Sequence, residues 1–344
     1  MKFIWVTLLD KDGYRRYLTN REQPIPEKEI VEATNLVELF EKFLKQFDKT
    51  LKTATSVEVQ QFSKILIKDR INTYNSYVAL SRYAYFVKNM DLYLAVLELL
   101  DGAEVMDVLY ERLSENVDDE RRDKILPKQK LPPLGLPSSE KVDVTREVMA
   151  KMEKFLDSET CKKTLVAVAH GLPRNFRKGE REKYLNSDGI DDYLKRKRES
   201  VMAELQKHRD ESTLFYNQEI TDEVLEFLRS HPDILVGERR DDVIYHTKIP
   251  YITKEYLEET DEQMKRYYAC HCAWARESIK TGNERISPTF CYCSAGFTKM
   301  PWEAALDQSL EVEMVKSVLK GDLECSFIIH LPKDVVVKER EYDI

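Results

Sequence analysis

The chain has 344 residues, 42% of them hydrophobic and 10% aromatic, with 10 Gly, 12 Pro and a formal charge of −8. Its length exceeds what one hydrophobic core usually supports, and its composition excludes a disordered or fibrous protein. The longest apolar runs, residues 93–100 and 165–169, fall far short of the roughly 18–20 residues of a membrane span, and the acidic balance disfavours binding to phosphate backbones.

Residues 1–18 read as two short strands around Asp12-Gly13, because Asp-Gly suits a tight hairpin turn. Phe3 to Leu9 is a brief apolar run, but Asp10, Lys11 and Asp12 follow it without a small-residue cleavage site, so the expectation is a cytoplasmic protein. From Asn35 to Phe47, apolar residues recur at three- and four-residue steps, which marks a helix, with Thr34 as its N-cap. The same period runs through residues 57–67, 74–87, 91–100 and 103–113, broken at Asn89-Met90 and Asp101-Gly102. A mainly helical domain over 1–127, with a short N-terminal hairpin, is therefore expected.

Residues 128–141 hold Pro132, Pro133, Pro137 and Gly135, a composition that suits an exposed linker. Beyond it, 142–156, 190–208 and 220–228 read as helices, and the run Lys195 to Arg198 reads as a solvated face. Residues 234–236 and 243–249 suggest a hairpin about Arg239 to Asp242. The end of the chain reads as a helix over 294–306, a strand over 310–318, a turn at Lys320-Gly321-Asp322 and a strand over 324–331. In that last strand Cys325, Phe327, Ile329 and Leu331 share an inward face and His330 points outward. The fold class is α+β, with a second domain over 142–344.

The chemistry concentrates in the cysteines. Cys270-His271-Cys272 and Cys291-Tyr292-Cys293 are two Cys-x-Cys pairs separated by eighteen residues, and Cys325 follows on the last strand. In a reducing compartment thiols in such a cluster are metal ligands, reactive groups or buried free thiols. Four thiolates in two pairs suit zinc first and an iron–sulfur cluster second. Residues i and i+2 of a strand lie too far apart to bind one ion, so each pair must sit in a turn or at a strand end. His271 is either a further ligand or points away.

The stretch Phe290-Cys291-Tyr292-Cys293-Ser294-Ala295-Gly296-Phe297, the helix with Trp302, Glu311-Val312-Glu313, Ser317 to Asp322, and Cys325-Ser326-Phe327-Ile328-Ile329 resemble the 4-vinyl-reductase-like small-molecule-binding domain. That domain belongs to the superfamily of Bet3-type tethering subunits and haem-based nitric-oxide sensors. The Gly-Asp turn followed by Cys-x-Phe is also similar to the amino-thiazoline-carboxylate hydrolase family. The resemblance implies an α+β sandwich with a mostly antiparallel sheet, zinc with Cys291, Cys293 and Cys325 among its ligands, and an apolar or aromatic effector. The Cys270/Cys272 pair departs from that pattern. Residues 71–77 and Tyr85-Phe86 resemble the helical core-binding module of phage-type integrases, but no recombinase Arg, His-x-x-Arg and Tyr set follows, and an amphipathic bundle explains the same residues.

No phosphate-binding Gly loop, dinucleotide fingerprint, His-Glu-x-x-His helix or nucleophile elbow occurs. The sequence therefore leads to a zinc-binding small-molecule-binding or sensory protein, with Phe297, Trp302 and Phe327 as candidate pocket or core residues for an unidentified small apolar molecule. A homodimer is compatible with it. The alternatives are an enzyme using Cys291 or Cys293 as a thiolate, activated by His271 or a helix N-terminus at Ser294, and an interaction scaffold built on the N-terminal helices.

Overall fold

The computed structural model describes residues 10–23, 25–172, 179–282, 286–333 and 335. The architecture is α+β: helices fill the N-terminal part, and a four-stranded antiparallel sheet forms in the C-terminal part. No helix among the described residues is long and apolar enough to cross a membrane. The chain divides into two compact units, Met1–Ala103 with Pro132–Lys141, and Glu104–Leu131 with Val142–Ile344.

The first unit is a helical bundle of α1 (Lys11–Thr19), α2 (Glu27–Leu44), α3 (Ser56–Lys68), α4 (Tyr74–Phe86) and α5 (Met90–Leu100). Where a hairpin is expected, Asp12-Gly13 lies in the first turn of α1, because the Asp10 carboxylate caps the helix by accepting from the Gly13 N–H at 2.8 Å. Tyr14 and Leu18, four residues apart and fully buried, then fix the helical face. The first of the two expected strands falls largely on residues 1–9, outside the described residues. Thr34 is not an N-cap. It sits inside α2, with its hydroxyl donating to the Ile30 carbonyl. Local caps set the other starts: Thr55 with Glu58 forms a capping box on α3, Thr73 caps α4, and Asn89 caps α5 while its amide donates to the Leu51, Lys52 and Ala54 carbonyls.

The Pro-rich segment is not an exposed linker. Ser63 Oγ donates to the Gly135 carbonyl at 2.5 Å and Asn72 to the Leu134 carbonyl at 2.9 Å. Gly135 takes φ +82°, and a β-carbon there would occupy the place of the Tyr77 hydroxyl. Helix α8 (Ser138–Phe155) then begins, with Ser138 and Lys141 buried. The Lys141 ammonium donates to the Glu98 and Asp101 carbonyls at the C-terminal end of α5, where a cation meets the negative end of the helix dipole.

In the second unit, α6 (Val105–Asn116) and α7 (Asp119–Ile125) precede the rest of α8 and α9 (Ser158–Val168), α10 (Gly179–Leu185), α11 (Ile190–Asp210) and α12 (Asp222–Ser230). Strands β1 (Glu238–Arg240) and β2 (Val243–Thr247) follow, then α13 (Thr253–Glu258), α14 (Glu262–Ala269), α15 (Arg276–Thr281) and α16 (Tyr292–Leu306), and last β3 (Val312–Lys316) and β4 (Ser326–His330). The sheet order is β1-β2-β4-β3. Strand β1 starts four residues later than the 234–236 run suggests, because Leu235 and Gly237 take positive φ and interrupt extended structure. In β4, Phe327 and Ile329 are fully buried, and His330 bonds Glu313 on the other face. Helix α16 lies against α9 at Gly296, where a β-carbon would strike the Val166 carbonyl. The basic run on α11 is tied down internally: Arg196 pairs with Asp192, Lys197 with Glu180, and Arg198 donates to the Leu228 and Pro232 carbonyls.

Candidate metal centre

Five of the six cysteines converge on one cavity of about 30 Å³, lined also by His170, His271, Lys248, Ser294, Phe290 and Val318. Separate pieces of chain deliver them. Cys270 caps the C-terminal end of α14, Cys272 lies in the loop before α15, and Cys291 ends a 3₁₀ turn (Pro288–Cys291) that feeds α16. Cys293 sits in the first turn of α16, and Cys325 immediately precedes β4. The sixth, Cys161, is buried in α9 and does not line the cavity.

Electrostatic neighbourhoods divide the five. Cys270 interacts with Cys272 and Cys325, and Cys291 with Cys325, Cys270 and Cys272. The charged and polar groups acting on Cys293 are instead His170 and Lys248. The physical reason is helical: residues two apart at the start of α16 point about 200° apart, so Cys291 turns toward the other thiols and Cys293 toward His170. The spacing 291/293 thus makes two contributions to the cavity rather than one chelating pair.

Cys270, Cys291, Cys293 and Cys325 are held protonated by their surroundings. Burial pushes Cys270 and Cys291 well up, raises Cys325, and moves Cys293 to about 11, partly opposed at Cys293 by the His170 N–H and the Lys248 ammonium. Ser317 Oγ donates to Cys291 Sγ at 3.0 Å, and the His170 backbone N–H lies 3.4 Å from Cys293 Sγ. Burial also holds the histidines neutral. His170 falls to about 3, with Lys248 adding to the effect, and His271 is lowered for the same two causes in the same order. His271 lines the cavity with its Nε2 engaged by the Ile249 carbonyl at 2.6 Å.

His170 carries no sequence motif, yet it is the most unusual residue of the site. Ala169, His170 and Gly171 all take positive φ, at 45°, 56° and 73°. Two consecutive non-glycine residues in that region store strain. The His170 Nε2 is buried without a hydrogen-bond partner, and the ring stacks edge-on to Phe297 at 5.2 Å. A neutral imidazole with a free ring nitrogen beside soft thiols is a ready donor.

The expected pocket residues lie elsewhere. Trp302 is buried in the core against Tyr193 and Lys197, and Phe327 packs with Ala295, Met314, Cys291 and Cys325. Phe297 contacts His170 and Lys248 but, like the other two, does not line the cavity. As the side chains stand, no group of three or more His, Cys, Asp or Glu among the described residues is arranged to hold a metal ion. Closing the thiols on an ion therefore requires side-chain rotation. The donor set itself suits a soft ion: neutral thiols that lose protons to a metal, with an unsatisfied imidazole nitrogen at the edge. Comparison of the chain with protein families, with curated proteins and with solved structures finds no match.

Proposed function

We propose that this protein binds a single soft metal ion, zinc before any other, through Cys270, Cys272, Cys291 and Cys325, and that the loaded centre serves a sensory or ligand-binding role. The observation that carries the reading is the convergence of five cysteines and two neutral histidines from distant chain segments on one ion-sized cavity. A volume of about 30 Å³ admits an ion or one water, which favours zinc over an iron–sulfur cluster and leaves an organic effector to bind outside this cavity. Bound zinc would supply the charge that replaces the thiol protons and joins the loop before α15, the start of α16 and β4.

The thiol-enzyme reading has one observation in its favour, the His170 N–H and Lys248 ammonium beside Cys293. Burial nevertheless holds that thiol at about 11, so it is a poor nucleophile at neutral pH. Elemental analysis of the full chain purified without added metal separates the readings. About one zinc per chain, lost in Cys270→Ser and Cys291→Ser, supports the metal centre. A well-folded, metal-free protein whose Cys293 alone reacts rapidly with iodoacetamide would overturn it.

A further inference from the structure

The cavity contains a cation whose counter-charge is not in the described structure. Lys248 follows β2, and its backbone N–H is pinned at 2.9 Å to the Cys325 carbonyl by the β2–β4 pairing. Its ammonium donates to Ser294 Oγ at 3.0 Å and lies 5.4 Å from the Phe297 ring centre. No carboxylate among the described residues pairs with it. The histidines around it are neutral and offer no negative charge. The acids near Cys325 are engaged elsewhere, Glu324 with Lys316 and Asp322 with the Ser317 N–H. A half-buried ammonium without an anion is costly.

The anion it lacks is the one a loaded centre would provide. A divalent ion bound by four thiolates carries two net negative charges, and leaving them uncompensated in a buried site is unfavourable. Lys248, which lines the cavity, acts on Cys325 and Cys293, and the buried Arg276, stacked 4.3 Å from the Tyr251 ring centre, acts on Cys270. Two cations therefore act on the thiols where two negative charges would arise.

Resting on the metal reading above, we propose that Lys248 is a positioning residue whose ammonium offsets the charge of the thiolate centre and raises its affinity for a divalent ion. It acts through the thiolates and does not bind the metal. Lys248→Met keeps the unbranched apolar stem, one atom shorter, and removes the charge, whereas Lys248→Arg keeps the charge.

The test titrates zinc into the full-length wild type and both variants against a chromophoric chelator, with the metal-free melting temperature measured alongside. The expected result is a loss of about 10- to 100-fold in zinc affinity for Lys248→Met, the range typical of outer-shell partners. Lys248→Arg should recover most of it, and the metal-free melting temperatures should coincide. If Lys248→Met does not fold, Lys248→Gln carries the same comparison. Wild-type zinc binding with unchanged affinity in Lys248→Met, or a loss that Lys248→Arg fails to rescue, would overturn the role of Lys248 and leave the metal centre standing. Absence of zinc binding by the wild type would remove both.

Discussion

Glu180 should make this protein acid-labile in a way that one substitution isolates. The residue sits at the start of α10, 7% exposed, and its carboxylate takes hydrogen bonds from Tyr193 and Lys197 of α11 and, at 2.9 Å, from Lys183. Burial by itself would raise its pKa, but the Lys197 ion pair and the three hydrogen bonds overcome that and hold it at about 2, against an ordinary 4.5. A shift of roughly 2.5 units at ~1.36 kcal/mol per unit corresponds to about 3 kcal/mol of pH-dependent stability. Because the folded pKa is depressed, that stability is fully present above pH ~4.5 and is lost as pH falls toward 2. The assay is urea unfolding of wild type and Glu180→Gln between pH 7 and pH 2. At neutral pH the variant should be less stable by about 3 kcal/mol or more, since the largely buried Lys197 ammonium loses its carboxylate. The gap should narrow by about 3 kcal/mol on acidification, while other carboxylates, Glu58 among them, affect both proteins alike. Parallel pH profiles would refute the reasoning.

Other substitutions test the centre and its framework. Cys293→Ser should retain most of the zinc that Cys270→Ser and Cys291→Ser lose, as read by elemental analysis, because Cys293 faces His170 rather than the other thiols. His170→Gly should raise the metal-free stability by about 1 kcal/mol in chemical denaturation, since glycine relieves the left-handed strain and the ring nitrogen it deletes has no partner. Gly296→Ala, favourable by helix propensity alone, should instead destabilise by about 1–3 kcal/mol in thermal or urea melts, because the added methyl meets the Val166 carbonyl.

The elements that sequence revealed are those whose signal is local. The period of apolar residues in α3, α4 and α5, the break at Asn89-Met90, and the alternation of Phe327 and Ile329 all act within a few residues, and the structure keeps them. Where a local signal has two meanings, tertiary packing chose. Asp12-Gly13 suits a hairpin turn, but the buried pair Tyr14 and Leu18 made it helical. The prolines of 132–137 cannot extend a helix, yet their neighbours' carbonyls serve as acceptors for Ser63 and Asn72, residues remote in sequence. The cysteines were visible by spacing alone, whereas the division between Cys291 and Cys293 follows from their place at a helix start. His170 and Lys248 escaped notice because one is set by a pair of left-handed residues and the other by strand pairing, and neither leaves a pattern in composition.

The Pro-rich return segment has a consequence for the order in which the chain becomes a protein. A ribosome releases residues 1–103 first, and at that moment the hydroxyl of Ser63, the amide of Asn72 and the C-terminal carbonyls of α5 still lack the partners that 132–141 will bring. The helical bundle can therefore reach its final form only after residues 104–131, which belong to the other unit, have also emerged. Domain-wise folding during synthesis, the usual economy of a two-unit chain, is here interleaved. Any fragment intended to isolate the bundle must rejoin 132–141 to residues 1–103, since a simple truncation at Ala103 ends before the unit is whole.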